Sequence, residues 1–421
     1  MKLSVKLKDS LKYLKTDDLV GIIIFILILP IGIIYKIYLK ISNKRLWLVA
    51  EGKNDARDNG FVFYEYVRTM HPNINAYYAI AKNSQSYNKV KKLQNIVEYG
   101  GFKHWVYYIA ATKNISSQKA ANPCPSLFYV LHNTRILNGH RIYLKHGVIM
   151  SDVAFVHYDV TKFELITCGA EPEYKYIINK FGYTPKNAVY TGLARFDKLW
   201  GVKVNKKQIL IMPGWRSWLS REVNMLGDKQ DFTNSNYFKT YQNLINNSDF
   251  IDYIEARDIV CYFLPHSNMQ KFIDHFTTKS KNIHITTNKN ADMQKLISES
   301  GLMISDYSSV VADFAYMKKP LIYYQFDLEE FREKQYSESY FDHDTMGFGP
   351  VIYSESDVVK NIKYYFDNSL IVQPKYTTNS ERFFSLKDNR NCERIFNKIY
   401  MMDYVQVQKN YNKTVDKPES T

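Results

Sequence analysis

The sequence predicts an α/β protein with two doubly wound domains facing each other across a cleft, preceded by an apolar helix. Three observations carry this. Short apolar runs recur along the chain, separated by longer helix-like stretches; strands alternating with helices imply parallel sheets covered on both faces. The runs fall into two series, and 421 residues are more than one core readily accommodates. Finally, residues 19–35 are almost wholly apolar, with Lys8, Lys12 and Lys15 before them and Lys36, Lys40 and Lys44 after.

The front segment, residues 1–44, reads as a membrane anchor. Its apolar run is slightly short of the about 20 residues a bilayer takes, and Pro30 interrupts it. The expectation is either a short span or a helix bent at Pro30 that dips into one leaflet, its lysines held to anionic headgroups. A buried globular helix is the alternative. A secretory signal would need a small-residue cleavage site after the apolar core, and none follows.

The first domain, 45–204, is expected to place strands at 46–50, 76–81, 142–144, 165–168 and 188–190, with helices at 61–70 and 102–111. The second, 205–404, is expected to place strands at 209–212, 259–264, 283–285, 302–304 and 321–324. The boundary falls in the polar, lysine-bearing stretch 201–207. Residues 405–421 are polar, lack an apolar period and read as a disordered tail.

Composition narrows the partners. The hydrophobic fraction of 45% fills two cores, and the net charge of +14 attracts anionic lipid, nucleotide phosphates or a polyanionic product. No zinc-finger spacing, RNA-recognition signature or arginine-rich arm is present, so nucleic acid is not an expected partner. The four cysteines are far apart and form no CxxC pair, which argues against a zinc site or disulfide framework and fits a reducing compartment. Cys168 and Cys261 sit in apolar runs and read as small core residues.

Ligands of open α/β sheets gather beyond the carboxyl ends of the strands, and three motifs fall there. Leu144-Lys145-His146-Gly147 ends a strand in histidine, with a glycine that lets backbone approach closely. Phe263-Leu264-Pro265-His266 ends another. The third runs from Gly301 to Ala315: a buried strand, a polar turn Ser305-Asp306-Tyr307-Ser308-Ser309, then a helix. Free N–H groups and short hydroxyls at such a turn suit a phosphate; the plain alternative is a capped helix with Ser308 or Ser309 as N-cap. Imidazole titrates near about 6.5, so a histidine can accept a hydroxyl proton or, when charged, steady a phosphate.

Taken in order, the motifs resemble the CDP-glycerol glycerophosphotransferase family, the teichoic acid polymerases and their capsule-associated relatives. The resemblance spans roughly residues 45 to 400. It rests on Asp55-Ala56-Arg57-Asp58-Asn59-Gly60, Lys145-His146-Gly147, Thr191-Gly192-Leu193-Ala194-Arg195-Phe196-Asp197, Met212-Pro213-Gly214-Trp215-Arg216, Leu264-Pro265-His266 and the serine turn, with Phe326-Asp327-Leu328-Glu329-Glu330 and Gly347-Phe348-Gly349-Pro350. It implies a GT-B architecture of two Rossmann-like domains, acceptor on the N-terminal side and CDP donor on the C-terminal side. It also implies attachment to the cytoplasmic face of the cell membrane. The implied reaction is attack by a hydroxyl of a membrane-bound acceptor (lipid-linked, glycolipid or polymer) on the β-phosphate of CDP-glycerol or CDP-ribitol, with release of CMP.

By the same resemblance His146 is the general base and His266 stabilises charge on the diphosphate. Ser308 and Ser309 hold phosphate oxygens, and Asp306 is grouped with them. Arg216 adds a planar clamp, with Arg195 a second candidate; for both, the alternative is a structural ion pair with Asp197 or Asp313. Gly147 and Asp313 are supporting positions. The chain departs from some polymerases at Val148-Ile149, where Thr-Pro follows the histidine-glycine pair, and at Ser267, where proline often stands. It also lacks the long N-terminal extension of bifunctional members, which implies a single transfer activity. Asp342-His343-Asp344 resembles a DxD metal signature, with a solvated acidic loop as the alternative; the reaction as written requires no metal. Two other functions fit parts of the chain: a GT-B glycosyltransferase using a nucleotide-sugar, and a non-catalytic scaffold binding anionic glycopolymer at the membrane.

Overall fold

The computed structural model describes residues 18–133, 140–220, 230–336 and 339–402; Lys8, Lys12, Lys15 and the tail expected at 405–421 lie outside them. The first sheet has seven parallel strands: β1 (Trp47–Ala50), β2 (Ala76–Ile80), β3 (Ile96–Glu98), β4 (Lys113–Ser116), β5 (His140–Tyr143), β6 (Leu165–Cys168) and β7 (Ala188–Tyr190), in the order β3-β2-β1-β4-β5-β6-β7. The second has six: β8 (Asn205–Ile211), β9 (Val260–Phe263), β10 (Ile283–Ile285), β11 (Ser300–Ser305), β12 (Leu321–Tyr324) and β13 (Val351–Ile352), in the order β10-β9-β8-β11-β12-β13. In both sheets the order reverses beside the first strand, at β1/β4 and at β8/β11. Each reversal opens a crevice beyond the carboxyl ends of those strands.

The strands expected from unbroken apolar runs are present, because strands covered on both faces must be apolar throughout; every residue of β1, β6 and β12 is buried. Three strands escape that criterion. β3 and β13 are three and two residues long, and β4 is Lys-Asn-Ile-Ser, with Lys113 and Asn114 buried despite their polarity. The helix Asn59–Met70 begins two residues before the expected start. Its first turn is satisfied from outside by the Glu51 carboxylate, which accepts from the backbone N–H of Asp58 (3.0 Å) and Phe61 (2.7 Å).

Each domain has its own core: Trp47, Phe63, Tyr64 and Tyr78 in the first, Ile209, Tyr241, Phe263 and Ile322 in the second. A further cluster crosses between them, joining Val148, Leu193 and Phe196 to Met212, Val311, Tyr316 and Phe384. The expected limit of the second domain at residue 404 is corrected. After Phe384 the chain returns, and Cys392, Ile395, Phe396 and Ile399, on a helix from 391 to 402, pack into the first core. The His71 and Phe396 rings stack there at 3.6 Å. Asp197 receives that helix, accepting from the N–H groups of Asn391 (2.9 Å) and Cys392 (2.8 Å).

The apolar front segment is one helix, Asp18–Ile41, that runs through Pro30 and is long and apolar enough to cross a membrane. One face of it is seated on the first domain, where Phe25, Ile28 and Leu39 are buried with Trp105, Ile109 and Phe128. Gly32 permits the approach: a Cβ there would lie 2.8 Å from the Cβ of Ile109. The opposite face leaves Ile26, Leu27, Ile34 and Ile41 exposed, a contiguous apolar surface of the kind that marks an interaction with lipid or protein. All four cysteines are free and buried.

Candidate active site

The two crevices open into one cavity of about 630 Å³, lined from both domains. His146, His266, Ser308, Ser309, Gly147, Arg195, Asp313 and Arg216 all reach its wall, so the topology gathers motifs that lie far apart in sequence.

His146 follows β5. The turn that carries it is unusual: Lys145 has φ 60°, a left-handed conformation costing an L-residue about 1–2 kcal/mol. It is braced on both sides. The Lys145 ammonium is buried against the Glu173 carboxylate, and its carbonyl accepts from Asn59 Nδ2 at 2.9 Å. The His146 ring is thereby presented to the cavity, 60% exposed, with its Nδ1 on the Asp58 carboxylate. That contact leaves Nε2 free and places the proton on Nδ1, so the neutral ring offers a lone pair to the cavity. The Asp58 charge raises the His146 pKa above its ordinary value, against the effect of burial. Burial pushes the Asp58 carboxyl up, but His146 and Arg195 together hold it below its usual range.

Asp58 is the principal functional residue that sequence reasoning left without a role. It lies in the Asp55 to Gly60 motif, 88 positions from His146, and only the fold joins them. Glu51, at the end of β1, fastens the loop that presents it; burial and the Asp58 charge push the Glu51 carboxyl up to about 7.

Arg195 sits beneath the pair. Its Nε and Nη2 donate to Asp313 at 2.9 and 2.8 Å, and its Nη1 to Asp58 at 2.9 Å and to the His146 carbonyl. Four of its five N–H groups are thus engaged. It is a bridge that holds Asp58, His146 and the second domain's Asp313 together, not an open phosphate clamp. Asp197, the other partner weighed for the arginines, caps the returning helix instead.

Arg216 and Asp306 are corrected in the same way. Both side chains are fully buried and paired at 2.9 Å; Arg216 also donates to Asp327 at 2.7 and 3.0 Å. Asp306 accepts from the N–H of Gly214 and of Tyr307. A carboxylate is acceptor-only and repels phosphate oxygens, so Asp306 ties the β8 and β11 loops together rather than binding phosphate. Arg216 balances one of the two carboxylate charges, and its side chain is fully buried between them.

The serine turn differs from its expected form. The helix begins at Val311, its N-cap position is Val310, and that residue makes no capping bond. Neither serine holds the N-cap position, although the Ser308 Oγ accepts from the Val310 N–H at 3.5 Å. Both stand ahead of the helix, their carbonyls accepting from Val311 (3.3 Å) and Ala312 (3.1 Å). Their own N–H groups have no acceptor among the described residues. Two unpaired N–H groups thus stand at the cavity wall beside two serine hydroxyls, that of Ser308 also accepting from the Val310 N–H, an arrangement suited to an anion. Ser309 touches the histidine loop of the other domain: a Cβ on Gly147 would lie 2.9 Å from its Oγ.

His266 follows β9. Its Nδ1 accepts from the Asn268 N–H at 3.2 Å, which places the proton on Nε2, and its ring stacks on Trp215 at 6.1 Å. Burial, then the charge of His146, lowers its pKa to about 4, so near neutral pH it is an uncharged N–H donor. Asp342, of the DxD-like triplet, lies elsewhere: its Oδ1 caps a short helix through the N–H groups of Asp344 and Thr345.

A family model for CDP-glycerol:poly(glycerophosphate) glycerophosphotransferases matches residues 33–401. The chain belongs to that family. It is 29% identical over 388 residues to the minor teichoic acid biosynthesis protein GgaB of Bacillus subtilis, covering 89% of this chain and 42% of that protein. To the teichoic acid ribitol-phosphate polymerase TarL of Staphylococcus aureus it is 23% identical over 247 residues, 55% of this chain and 40% of that protein. The chain spans less than half the length of these curated relatives. A solved structure of the wall teichoic acid polymerase TagF matches with a TM-score of 0.64 at 15% identity, over 93% of this glycerophosphotransferase-family chain and 99% of that one. The GT-B-like architecture expected from the motifs is the one observed.

Proposed function

We propose that this chain transfers a polyol phosphate, from CDP-glycerol or CDP-ribitol, to a hydroxyl of a membrane-bound acceptor in the synthesis of teichoic acid or a phosphate-containing capsule. One observation carries the reading: in this family member one cavity sets a histidine–carboxylate pair in one domain against an unpaired N–H turn and a neutral histidine in the other. A TagF variant soaked with CDPG supports the choice of donor.

In this reading the donor diphosphate lies against Ser308, Ser309 and His266. The acceptor hydroxyl donates to His146 Nε2. Its oxygen attacks the β-phosphorus, the bond from that phosphorus to the bridging oxygen breaks, and CMP departs. The acceptor proton passes to His146, and the resulting imidazolium is stabilised by Asp58. The serine N–H groups and the His266 N–H serve the charge that spreads over the phosphoryl oxygens. The exposed face of the helix Asp18–Ile41, with Lys36, Lys40 and Lys44, would hold the enzyme at anionic lipid on the cytoplasmic face.

The test is CMP release by the purified protein given CDP-glycerol and CDP-ribitol separately, with membrane extract as acceptor, beside His146→Ala. Histidine-dependent release from one donor supports the reading and names the polyol. No release from either, with folded protein and a competent acceptor, rejects it.

A further inference from the structure

Beyond the carboxyl end of β4, at the first sheet's switch point, Ser117, Gln118 and Lys119 line the same cavity and have no part in the chemistry above. Ser117 is fully buried, yet its hydroxyl has no hydrogen-bond partner among the described residues. Buried polar groups are almost always paired, so an orphan on a cavity wall points to a partner that arrives with a ligand. The Gln118 backbone is fixed, its N–H donating to Ser116 Oγ at 2.9 Å, while its side-chain amide is uncommitted among the described residues.

The charges of the lining are more telling. Five lysines and arginines reach the cavity, and four are neutralised: Arg57 by Asp55, Lys145 by Glu173, Arg195 by Asp58 and Asp313, Arg216 by Asp306 and Asp327. Lys119 alone among them has no described carboxylate within ion-pair distance. Its Nζ donates to the Phe155 carbonyl at 3.1 Å and stands over the Phe155 and Tyr129 rings, which positions it without cancelling its charge. It lies in the same domain as His146, whereas the unpaired serine N–H groups lie in the other.

We infer that Ser117, Gln118 and Lys119 form the acceptor subsite, and that it recognises an anionic phosphodiester behind the attacking hydroxyl. Lys119 pairs with the phosphodiester, and Ser117 and Gln118 hydrogen-bond the polyol. This rests on the transfer reading and deepens it: these three residues are what makes a phosphate-bearing acceptor preferred over a neutral one. A lipid-linked diphosphate offers the same anion, so the acceptors tested must separate the two sources.

The experiment uses the full chain and three acceptors: glycerophosphoglycerol, a glycerol glycoside without phosphate, and a sugar-bearing lipid diphosphate. Wild-type enzyme is expected to show an acceptor KM about tenfold lower for a phosphate-bearing acceptor than for the neutral one, the scale of a charge-assisted hydrogen bond. Lys119→Ala removes that difference by raising acceptor KM while donor KM holds, and Lys119→Arg restores most of it. Preference for glycerophosphoglycerol identifies the chain end as source; preference for the lipid diphosphate alone identifies the headgroup. Equal use of neutral and anionic acceptors, or an effect of Lys119→Ala on donor KM instead, overturns the inference. If wild type turns over no donor, the transfer reading fails, and calorimetry still decides the subsite: glycerophosphoglycerol must bind wild type and Lys119→Arg alike and Lys119→Ala about tenfold more weakly, and equal binding by all three overturns it.

Discussion

Replacing Asp58 by asparagine keeps the shape of the side chain and removes its charge, so the consequences divide cleanly. Asp58 Oδ2 now fixes the proton on His146 Nδ1, and Oδ1 accepts from Arg195 at 2.9 Å. An asparagine can turn its NH₂ toward Nδ1, moving the imidazole proton to Nε2, where it faces the acceptor and blocks its deprotonation. A general base contributes about 10²–10⁴-fold, and kcat is expected to fall by that much. The pH dependence moves as well. His146 acts only when neutral, and the Asp58 charge raises its pKa, so the wild-type rate climbs with pH through a value above the ordinary imidazole range. Without that charge the largest raising influence is gone while burial and the Arg195 charge still lower the pKa, and the acid limb of the residual activity shifts to lower pH. Arg195 keeps Asp313, so the stability loss should stay near about 1–3 kcal/mol, one charged hydrogen bond rather than a stranded ion. CMP release across the near-neutral pH range, beside urea unfolding, measures all three. A variant with wild-type kcat and an unmoved acid limb would refute the pairing of Asp58 with the base.

Four other outcomes are expected. His266→Ala should lose about 10²–10³ in kcat and His266→Gln, which keeps an N–H donor, rather less; by NMR the His266 titration, near about 4 in the empty cavity, should move up when CDP binds, and an unmoved midpoint removes it from the diphosphate. Arg216→Leu strands Asp306 and Asp327 and should cost about 3–5 kcal/mol in urea unfolding; wild-type stability with a raised donor KM would return Arg216 to the role of clamp. Gly147→Ala crowds the Ser309 hydroxyl, which can rotate away, so kcat should drop by up to about 10²-fold with little change in melting temperature; the reverse pattern would make Gly147 purely structural. Leu27→Asp with Ile34→Asp, both on the exposed face, should abolish co-sedimentation with anionic vesicles, and unchanged sedimentation would assign that face to another partner.

The strands legible in the sequence were those whose burial on both faces demands unbroken apolar runs. β4 was hidden because its burial is satisfied by polar side chains, and β3 and β13 because they are too short to show a pattern. The histidines were legible for a similar reason: each interrupts an apolar strand end. Their chemistry was not, since the Asp58 contact that fixes the His146 tautomer depends on two loops meeting at a sheet reversal. Arg216 and Asp306 show the converse difficulty. A charged residue in a ligand-side motif can face the ligand or a counter-ion behind it, and only the burial of both side chains decides between those orientations. The domain limit failed because the amphipathic stretch 391–402 carries no mark of which core it will join.

The returning helix has a kinematic consequence. A body tethered to another at one point can turn about three axes; tethered at two, it keeps only rotation about the line that joins them. Here the chain crosses between the domains once near residue 204 and again between Phe384 and Asn391. Any opening of the apolar seam would therefore be a jaw-like swing about the line joining the two crossings. The Ser309–Gly147 approach and the Arg195–Asp313 pair both span the seam, and such a swing would have to part them.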